Sequence, residues 1–318
     1  MSASKDASEK VSIGLSAAIL AVEGEHPSVL VVAHSGSLDA LPFGPFDPVR
    51  HRTLESGLRQ WVGEQTKFEL GYTEQLYTFG DRGRHLSAEA ADRVVSVGYL
   101  ALTRQSMNAK LREAPETEWR GWYHYFPWED WRGQKPAMID GVILPALRKF
   151  AKEAPAELAE LRRERVNLCF GESWDEERVL ERYELLYEAG LVEEFYRDSG
   201  KPAKSACVGT PMLFDHRRIL ATAIARLRGK LKYRPVVFEL MAPTFTLLEL
   251  QRAVEALAGL RLHKQNFRRL VAEQGLVEGT GRFSAPARGR PAELFRFRRE
   301  VLRERPAPGV RLGARRRS

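Results

Sequence analysis

Short apolar runs alternate with proline- and glycine-rich breaks over the first hundred residues, and this alternation most narrows the folds open to the chain. Runs typical of buried strands lie at 12–22, 29–33, 75–79 and 94–103. Four prolines and glycines between Pro42 and Pro48 interrupt regular structure before the third run. Residues 53–66 then place apolar side chains on one helical face. The order of strand, loop, helix and strand predicts an α/β domain.

An aromatic segment and a series of helical patterns follow. Residues 119–131 read W-R-G-W-Y-H-Y-F-P-W-E-D-W, which predicts a core strand with bulky packing, while an exposed aromatic platform is the alternative. Helical periodicity is predicted at 142–154, 156–165, 175–197 and 214–227. The middle of the chain is therefore expected to be helical.

Charge is distributed unevenly along the chain. Residues 229–318 hold 20 Lys and Arg against 8 Asp and Glu, a net charge of +12, whereas residues 1–228 hold 30 against 34. The predicted secondary structure also changes near Gly229, to short helices and a basic hairpin, so we place a domain boundary there. A basic end on a mildly acidic body suggests a polyanionic partner. A solvated basic tail is the alternative, and we assign it to 306–318.

Cysteine content and hydropathy exclude several classes of protein. Cys169 and Cys207 form no C-x-x-C pair, so neither a disulfide framework nor a zinc site is indicated, and we expect no metal and no cofactor. No run approaches the ~18 apolar residues of a membrane helix. The start, 1–10, is polar and lacks the apolar stretch of a signal peptide. We expect a cytoplasmic protein without a membrane partner.

The basic end contains two helices at helix-turn-helix spacing. Thr246 and Glu249 form a T-x-x-E capping box at the start of the first. After a loop at 258–262, the second ends before Gly275, a natural C′ residue. Its polar face and flanks carry side chains suited to reading the major groove, namely Lys264, Gln265, Asn266, Arg268 and Arg269. For an isolated helix, a solvated basic face would be the favoured alternative.

A basic hairpin follows this second helix. Residues 276–280 and 292–297 predict two strands, with Arg288 and Arg290 at the tip of the loop between them. Two strands around a loop form a wing, and arginines on so thin a loop can enter a narrow minor groove. A mobile loop that touches only phosphate is the alternative. Residues 229–305 are therefore predicted to be a winged helix that binds double-stranded operator DNA.

The helix at 53–66 and the loop before it can be aligned with a nucleotide-binding motif, the Nudix box. Its pattern is G-x5-E-x7-R-E-U-x-E-E-x-G-U, with U an aliphatic residue, and its carboxylates hold divalent metal against a nucleoside diphosphate. The segment resembles this box when Arg59 is placed on the motif arginine. The four acidic positions are then occupied by Arg50 or His51, Gln60, Gly63 and Glu64. One carboxylate of four makes a poor hydrolytic centre, so we expect no enzyme activity.

Longer phrases extend the resemblance. The run E-Q-L-Y-T-F-G-D-R-G-R at 74–84, followed by R-V-V-S-V-G-Y-L-A-L at 93–102, is similar to the Nudix-related transcriptional regulators of NAD metabolism. The C-terminal part matches them in the same order, with F-D-H-R-R-I-L at 214–220, R-L-R-G-K-L at 226–231, F-T-L-L-E-L-Q at 245–251, N-F-R-R at 266–269 and R-G-R-P at 288–291. The resemblance covers roughly residues 11–130 and 210–300.

This resemblance implies an α/β Nudix-like sandwich with a helical insert, followed by a winged helix-turn-helix domain. The sandwich would span 1–228, and the insert, about 134–210, is longer than the family usually has. The resemblance also implies a homodimer that represses NAD biosynthesis genes, with ADP-ribose, NAD or ATP in a non-hydrolytic groove. The missing glutamates point to the alphaproteobacterial branch that regulates de novo NAD synthesis.

Candidate contacts for the adenine nucleotide are Arg59, Glu64, Asp81 and Arg84. Arg59 and Glu64 could instead form a structural i,i+5 pair on their helix.

Two other functions remain open. An active Nudix hydrolase of ADP-ribose or a related nucleotide with a basic appendage is opposed by the missing carboxylates. An RNA-binding or ribosome-associated protein would show exposed aromatics interleaved with basic residues on a sheet, which the C-terminal module lacks.

Overall fold

The computed structural model describes residues 11–33, 38–80, 93–104, 114, 116–202, 207–284 and 291–304. Within these ranges, the N-terminal part is built on a mixed sheet of seven strands. They are β1 (Val11–Glu23), β2 (His26–Ala33), β3 (Asp39–Ala40), β4 (Phe43–Pro45), β5 (Tyr72–Phe79), β6 (Arg93–Leu102) and β7 (Thr117–Gly121). The four apolar runs predicted as strands correspond to β1, β2, β5 and β6.

The two longest strands lie side by side in the middle of the sheet. The main strand order is β3-β2-β1-β6-β5, with β4 paired to β1 and β7 to β2. β1 and β6 are parallel, and the other neighbouring strands are antiparallel. Residues 15–21 of β1 are almost completely buried on both sides. A strand of this kind requires a covering layer on each face of its sheet.

Helices α1 (Leu54–Thr66) and α6 (His216–Leu231) supply those two layers. Thr53 caps α1, its Oγ1 accepting a hydrogen bond from the backbone of the N3 residue at 3.0 Å. Leu58 and Val62 of α1 are fully buried against the sheet. The arrangement is the α/β sandwich expected from the sequence, and α1 begins one residue after the predicted start.

Along the chain, four further helices follow the sheet strands and precede α6. They are α2 (Leu144–Lys152), α3 (Ala156–Phe170), α4 (Val179–Glu188) and α5 (Glu193–Ser199). The prediction of a single helix over 175–197 is wrong, because the chain turns after α4 at Gly190, whose φ of +66° lies in the left-handed region. A π-helical turn at Ile139–Ile143 leads directly into α2.

The aromatic segment is buried, but it is a strand only at its start. β7 ends at Gly121, and 3₁₀ turns follow at Trp122–His124 and Pro127–Glu129. Four of its aromatic side chains are fully buried, namely Trp122, Tyr125, Phe126 and Trp128, while Trp119 and Trp131 are partly buried. The predicted bulky packing is therefore confirmed, whereas the predicted strand over 119–131 is wrong beyond Gly121, because the tight turns place these rings around the end of the sheet.

The C-terminal part is a winged helix-turn-helix. Its elements are α7 (Val237–Leu240), α8 (Leu247–Ala258), α9 (Lys264–Gln274), β8 (Val277–Phe283), β9 (Glu293–Phe297) and α10 (Val301–Glu304). Phe245 forms an isolated antiparallel bridge with Phe295, and their backbones exchange hydrogen bonds of 3.0 and 2.7 Å. Helix α6 continues through Gly229, so the domain boundary there stays a prediction. None of the helices in the described ranges is long and apolar enough to cross a membrane.

Candidate nucleic-acid interface

Helix α9 presents the predicted DNA-reading side chains on its solvent side. Phe267 and Val271 are 2% exposed and pack it onto the domain. The candidate residues are all exposed, namely Lys264, Gln265, Asn266, Arg268 and Arg269. The 3.6-residue period therefore separates an apolar packing face from a cationic and amide face. Such a face offers the donors that base edges and phosphates accept.

The two arginines of this face differ in their surroundings. Arg269 pairs with Glu273 one turn later, with 3.0 Å between Nη1 and Oε1. Both side chains are more than half exposed, so the pair contributes little to stability and can be exchanged for another anion. Arg268 has no ion pair with any residue in the described part of the chain. Of the two, Arg268 is the more readily available for a new contact.

Helix α8, which precedes α9, is capped at both of its ends. At its start, Thr246 donates its backbone N–H to Glu249 Oε2 at 2.7 Å, and Thr246 Oγ1 accepts from the Glu249 backbone at 3.2 Å. The predicted capping box is thus confirmed. At its end, Gly259 adopts a φ of +73°, which turns the chain toward α9.

The wing is supported by stacked phenylalanines. β8 and β9 pair from Val277 opposite Phe297 to Phe283 opposite Glu293. The ring of Phe297 stacks on that of Phe238, with 4.4 Å between centroids. The predicted tip residues Arg288 and Arg290 lie outside the described residues, so their role stays a prediction.

The end of α8 is connected to the rest of the chain by hydrogen bonds from Tyr123, Trp131 and Arg228, and we call this connection the joint. The sequence did not reveal it. The last carbonyls of α8 have no partner within the helix. Tyr123 donates its hydroxyl to the carbonyl of Ala256 at 2.7 Å, and Arg228 Nε donates to that of Leu257 at 2.9 Å. The backbone N–H of Trp131 donates to the carbonyl of Gly259 at 2.8 Å. The turn before α9 is therefore fixed by the aromatic segment and by α6.

A buried charge cluster lies behind this joint. The carboxylate of Glu129 accepts from Arg182 at 2.5 and 2.9 Å and from Arg228 at 2.6 Å. All three side chains are at most 1% exposed. Burial disfavours the charge of Arg228, but Tyr123 and the Glu129 carboxylate outweigh it, so the pKa of this guanidinium is raised. The cluster ties α4, α6 and the aromatic segment together.

Arg59, the candidate for the motif arginine, has a structural role in the sheet domain. Its guanidinium donates to the carbonyls of Leu70 and Gly71 and pairs with Glu55 at 2.8 Å. The hydrogen bond from Arg59, followed by that from Thr73, lowers the pKa of Glu55. The alternative prediction, that Arg59 forms an i,i+5 pair with Glu64, is wrong. Arg59 pairs instead with Glu55, which lies one turn earlier on the same face of α1. Arg59 therefore anchors α1 to the loop before β5.

Two other residues at acidic positions of the motif, Glu64 and His51, bond to neighbouring residues. Glu64 is exposed and accepts a hydrogen bond from Gln60 at 2.8 Å. His51 is 5% exposed, and its Nδ1 accepts from the backbone of Asp47 at 3.0 Å. Within the described ranges, no group of three or more His, Cys, Asp or Glu residues could hold a metal ion. Asp81 and Arg84 lie outside the described residues.

A groove of about 370 Å³ lies between the outer strand β5 and the helices α4 and α6. Its lining includes Tyr77 and Phe79 from β5, Glu184 from α4 and Arg218 from α6. Arg218 Nε lies 2.6 Å from Glu184 Oε1. The groove combines aromatic rings with a charged pair, and its lining includes Gly80, which precedes the candidates Asp81 and Arg84 in the sequence. Sequence reasoning could not find it, because α4 and α6 are more than a hundred residues away along the chain.

Comparison with known proteins bears on both parts of the chain. The family described as the NrtR DNA-binding winged helix domain matches residues 237–297. The ADPR responsive transcriptional repressor NtrR of Acinetobacter baylyi is 45% identical over 86 residues, which are 27% of this chain and 34% of the relative. The alignment therefore spans about a third of that relative's length.

Two solved structures share the overall fold. Shewanella oneidensis NrtR complexed with a 27mer DNA has a TM-score of 0.55 at 21% identity, covering 91% of this chain and 94% of that one. A MutT/nudix family protein from Enterococcus faecalis has a TM-score of 0.51 at 16% identity, covering 91% and 87%. The resemblance to Nudix-related regulators is confirmed at this level: the chain carries an NrtR-type winged helix at residues 237–297 and has the NrtR fold, a Nudix-type α/β domain followed by that winged helix.

Proposed function

We propose that this chain is a ligand-responsive transcriptional repressor that binds operator DNA through its winged helix. The observation that carries the proposal is the exposed cationic and amide face of α9, on a helix packed from behind by Phe267 and Val271. The Acinetobacter relative is by name a transcriptional repressor, and the Shewanella structure of the same fold contains DNA, which supports the proposal. The chain would act in the cytoplasm as a homodimer, with one recognition helix in each half of a palindromic site.

The ligand proposed for the Nudix-type domain is an adenine nucleotide, with ADP-ribose, NAD and ATP as the candidates. The name of the Acinetobacter relative describes it as responsive to ADPR, which favours ADP-ribose. The groove beside β5 offers the ring of Tyr77, 67% exposed, for stacking on a base, and Asp81 and Arg84, which follow Gly80 in the sequence, stay candidate contacts. The regulated genes would be those of NAD biosynthesis, as in the alphaproteobacterial branch that the missing glutamates suggest.

Arg268→Ala should weaken operator binding by about 1–3 kcal/mol and relax specificity at one base pair, because a bidentate contact to a base would be lost. Lys264→Ala should weaken binding to all sequences alike and reduce the slope of affinity against salt by about one. Fluorescence anisotropy on operator and scrambled duplexes measures both effects. Arg163→Ala, an exposed arginine on α3, is the matched control and should change neither. Equal losses on both duplexes for Arg268→Ala would contradict a base contact.

The domain should bind an adenine nucleotide without hydrolysing it. His51 is buried and bonded to the backbone, and Gln60 and Gly63 stand at two acidic positions of the motif, so Glu64 alone cannot hold a catalytic metal. Calorimetry with ADP-ribose, NAD and ATP should show binding by at least one of them. A product assay with magnesium or manganese should show no turnover above the no-protein control. Turnover that disappears in Glu64→Ala would overturn the non-hydrolytic assignment.

A further inference from the structure

A carboxylate from the sheet domain lies between two arginines of the helix-turn-helix. Glu25 stands in the turn between β1 and β2. Its Oε1 is 3.3 Å from Arg252 Nε on α8, and its Oε2 is 3.0 Å from Arg261 Nη2 in the turn before α9. Both arginine side chains are about half exposed, at 50% and 51%. The three groups border an open groove of about 520 Å³, so solvent and larger anions can reach them.

The two guanidinium groups differ in what else holds them. Arg261 also pairs with the buried Glu255 at 2.8 Å and donates to the carbonyl of Arg132 at 3.2 Å, which fix its position. Arg252, within the described part of the chain, has Glu25 as its ion-pair partner. If the Glu25 carboxylate moved away, Arg261 would stay where it is and Arg252 would be left without a counter-charge.

Glu25 can withdraw its carboxylate by rotating its side chain, while Arg132 keeps the Glu25 backbone carbonyl in place. Glu25 follows Gly24, which has a φ of +59° and no atom within 4 Å of the position that a Cβ would take. The Glu25 side chain itself is 32% exposed. Exposed ion pairs of this kind contribute little to stability.

The position of the pair relative to α9 indicates what could replace the carboxylate. Arg261 precedes Lys264 by three residues, a distance along the chain of no more than ~11 Å. When the start of a recognition helix enters a major groove ~12 Å wide, the residues just before it lie near the phosphates at the groove edge. Guanidinium groups bind carboxylate and phosphate oxygens with the same fork of donors.

We propose that Arg252 and Arg261 form a binding site for a phosphate of the DNA backbone, and that Glu25 occupies this site when DNA is absent. The inference rests on the proposed function, because it requires α9 to enter the DNA. Glu25 is then an internal competitor of the phosphate. Since phosphates carry no sequence information, Glu25 lowers the affinity for every DNA without changing sequence preference.

The test is Glu25→Gln in the full chain, measured on an operator duplex and a scrambled duplex over a range of salt concentrations. Removing the competitor should tighten binding to both duplexes by the same factor, about two- to fivefold, the size expected for exposed ion pairs. Arg252→Ala should weaken binding to both and reduce the salt slope by about one. In the double variant, the gain from Glu25→Gln should shrink, because one of the two arginines that Glu25 blocks is gone.

Glu23→Gln is the matched control, since Glu23 is exposed two residues earlier and has no ion pair within the described residues. It removes the same charge and should give a clearly smaller gain. Thermal unfolding of each variant reports whether the fold is kept. An equal gain from the two glutamate variants, or a full gain in the Arg252→Ala background, would overturn the inference. If the unmodified chain binds no DNA, the proposed function fails with it; if DNA binds but Glu25→Gln has no effect, this inference alone fails.

Discussion

Replacing Glu129 by Ala should lower the free energy of unfolding by about 3–5 kcal/mol. The substitution leaves Arg182 and Arg228 charged, 0% exposed and without the carboxylate that compensates both. Neither side chain can reach water unless α4 or α6 moves, because both are completely buried. Their remaining hydrogen bonds go to backbone carbonyls and, for Arg228, also to the Tyr123 hydroxyl. Urea denaturation followed by tryptophan fluorescence measures the loss.

Glu153→Ala is the control for this substitution. Glu153 is 65% exposed and lies 3.7 Å from Lys149, so its removal should change stability by no more than about 0.5 kcal/mol. A loss below about 1 kcal/mol for Glu129→Ala would show that the cluster does not hold the aromatic segment, α4 and α6 together.

Gly259→Ala should destabilise the protein by about 2–5 kcal/mol and weaken operator binding. Its φ of +73° costs a residue with a side chain about 1–2 kcal/mol. An added Cβ would also press on the carbonyl oxygen of Glu129 and lie 2.9 Å from both Arg228 Nη2 and the Tyr123 hydroxyl. Relief of this crowding requires the turn before α9 to shift, and α9 would shift with it.

Gly275→Ala separates the cost of the positive φ from the cost of crowding around the added Cβ. Gly275 ends α9 with a φ of +55°, but an added Cβ would meet only the flexible end of Arg298 at 3.4 Å. We expect a loss of about 1–2 kcal/mol, the conformational cost alone. Denaturation and operator binding measured on both variants test the joint, and equal losses at the two positions would contradict it.

Features that depend on neighbouring residues were predictable from the sequence. The capping box at Thr246 and the exposed face of α9 follow from helical periodicity and local hydrogen bonds, and both appear where expected. The apolar strands β1 and β6 were predictable for the same reason, whereas their parallel pairing was not, because it joins distant residues. The single helix over 175–197 failed at Gly190, where one left-handed residue outweighs an otherwise continuous helical pattern.

Features that depend on distant residues were not predictable. Arg59 reads as a motif residue, yet it bonds to carbonyls of the loop before β5, and only the folded chain shows this. Glu129 lies in a tryptophan-rich run that gave no sign of partners 53 and 99 residues away. The joint to the helix-turn-helix and the groove beside β5 both arise from such long-range contacts.

The affinity of the full chain for its own operator, compared with a scrambled duplex of the same length, tests the central claim most directly. The operator is obtained by sequencing DNA that co-purifies with crosslinked protein, and both affinities are measured at physiological salt with and without ADP-ribose. A ligand-responsive repressor should prefer the operator by about 10³-fold or more, and ADP-ribose should change that affinity by about 5- to 150-fold. Equal affinity for the two duplexes would contradict the account, because a repressor must distinguish its operator from other DNA.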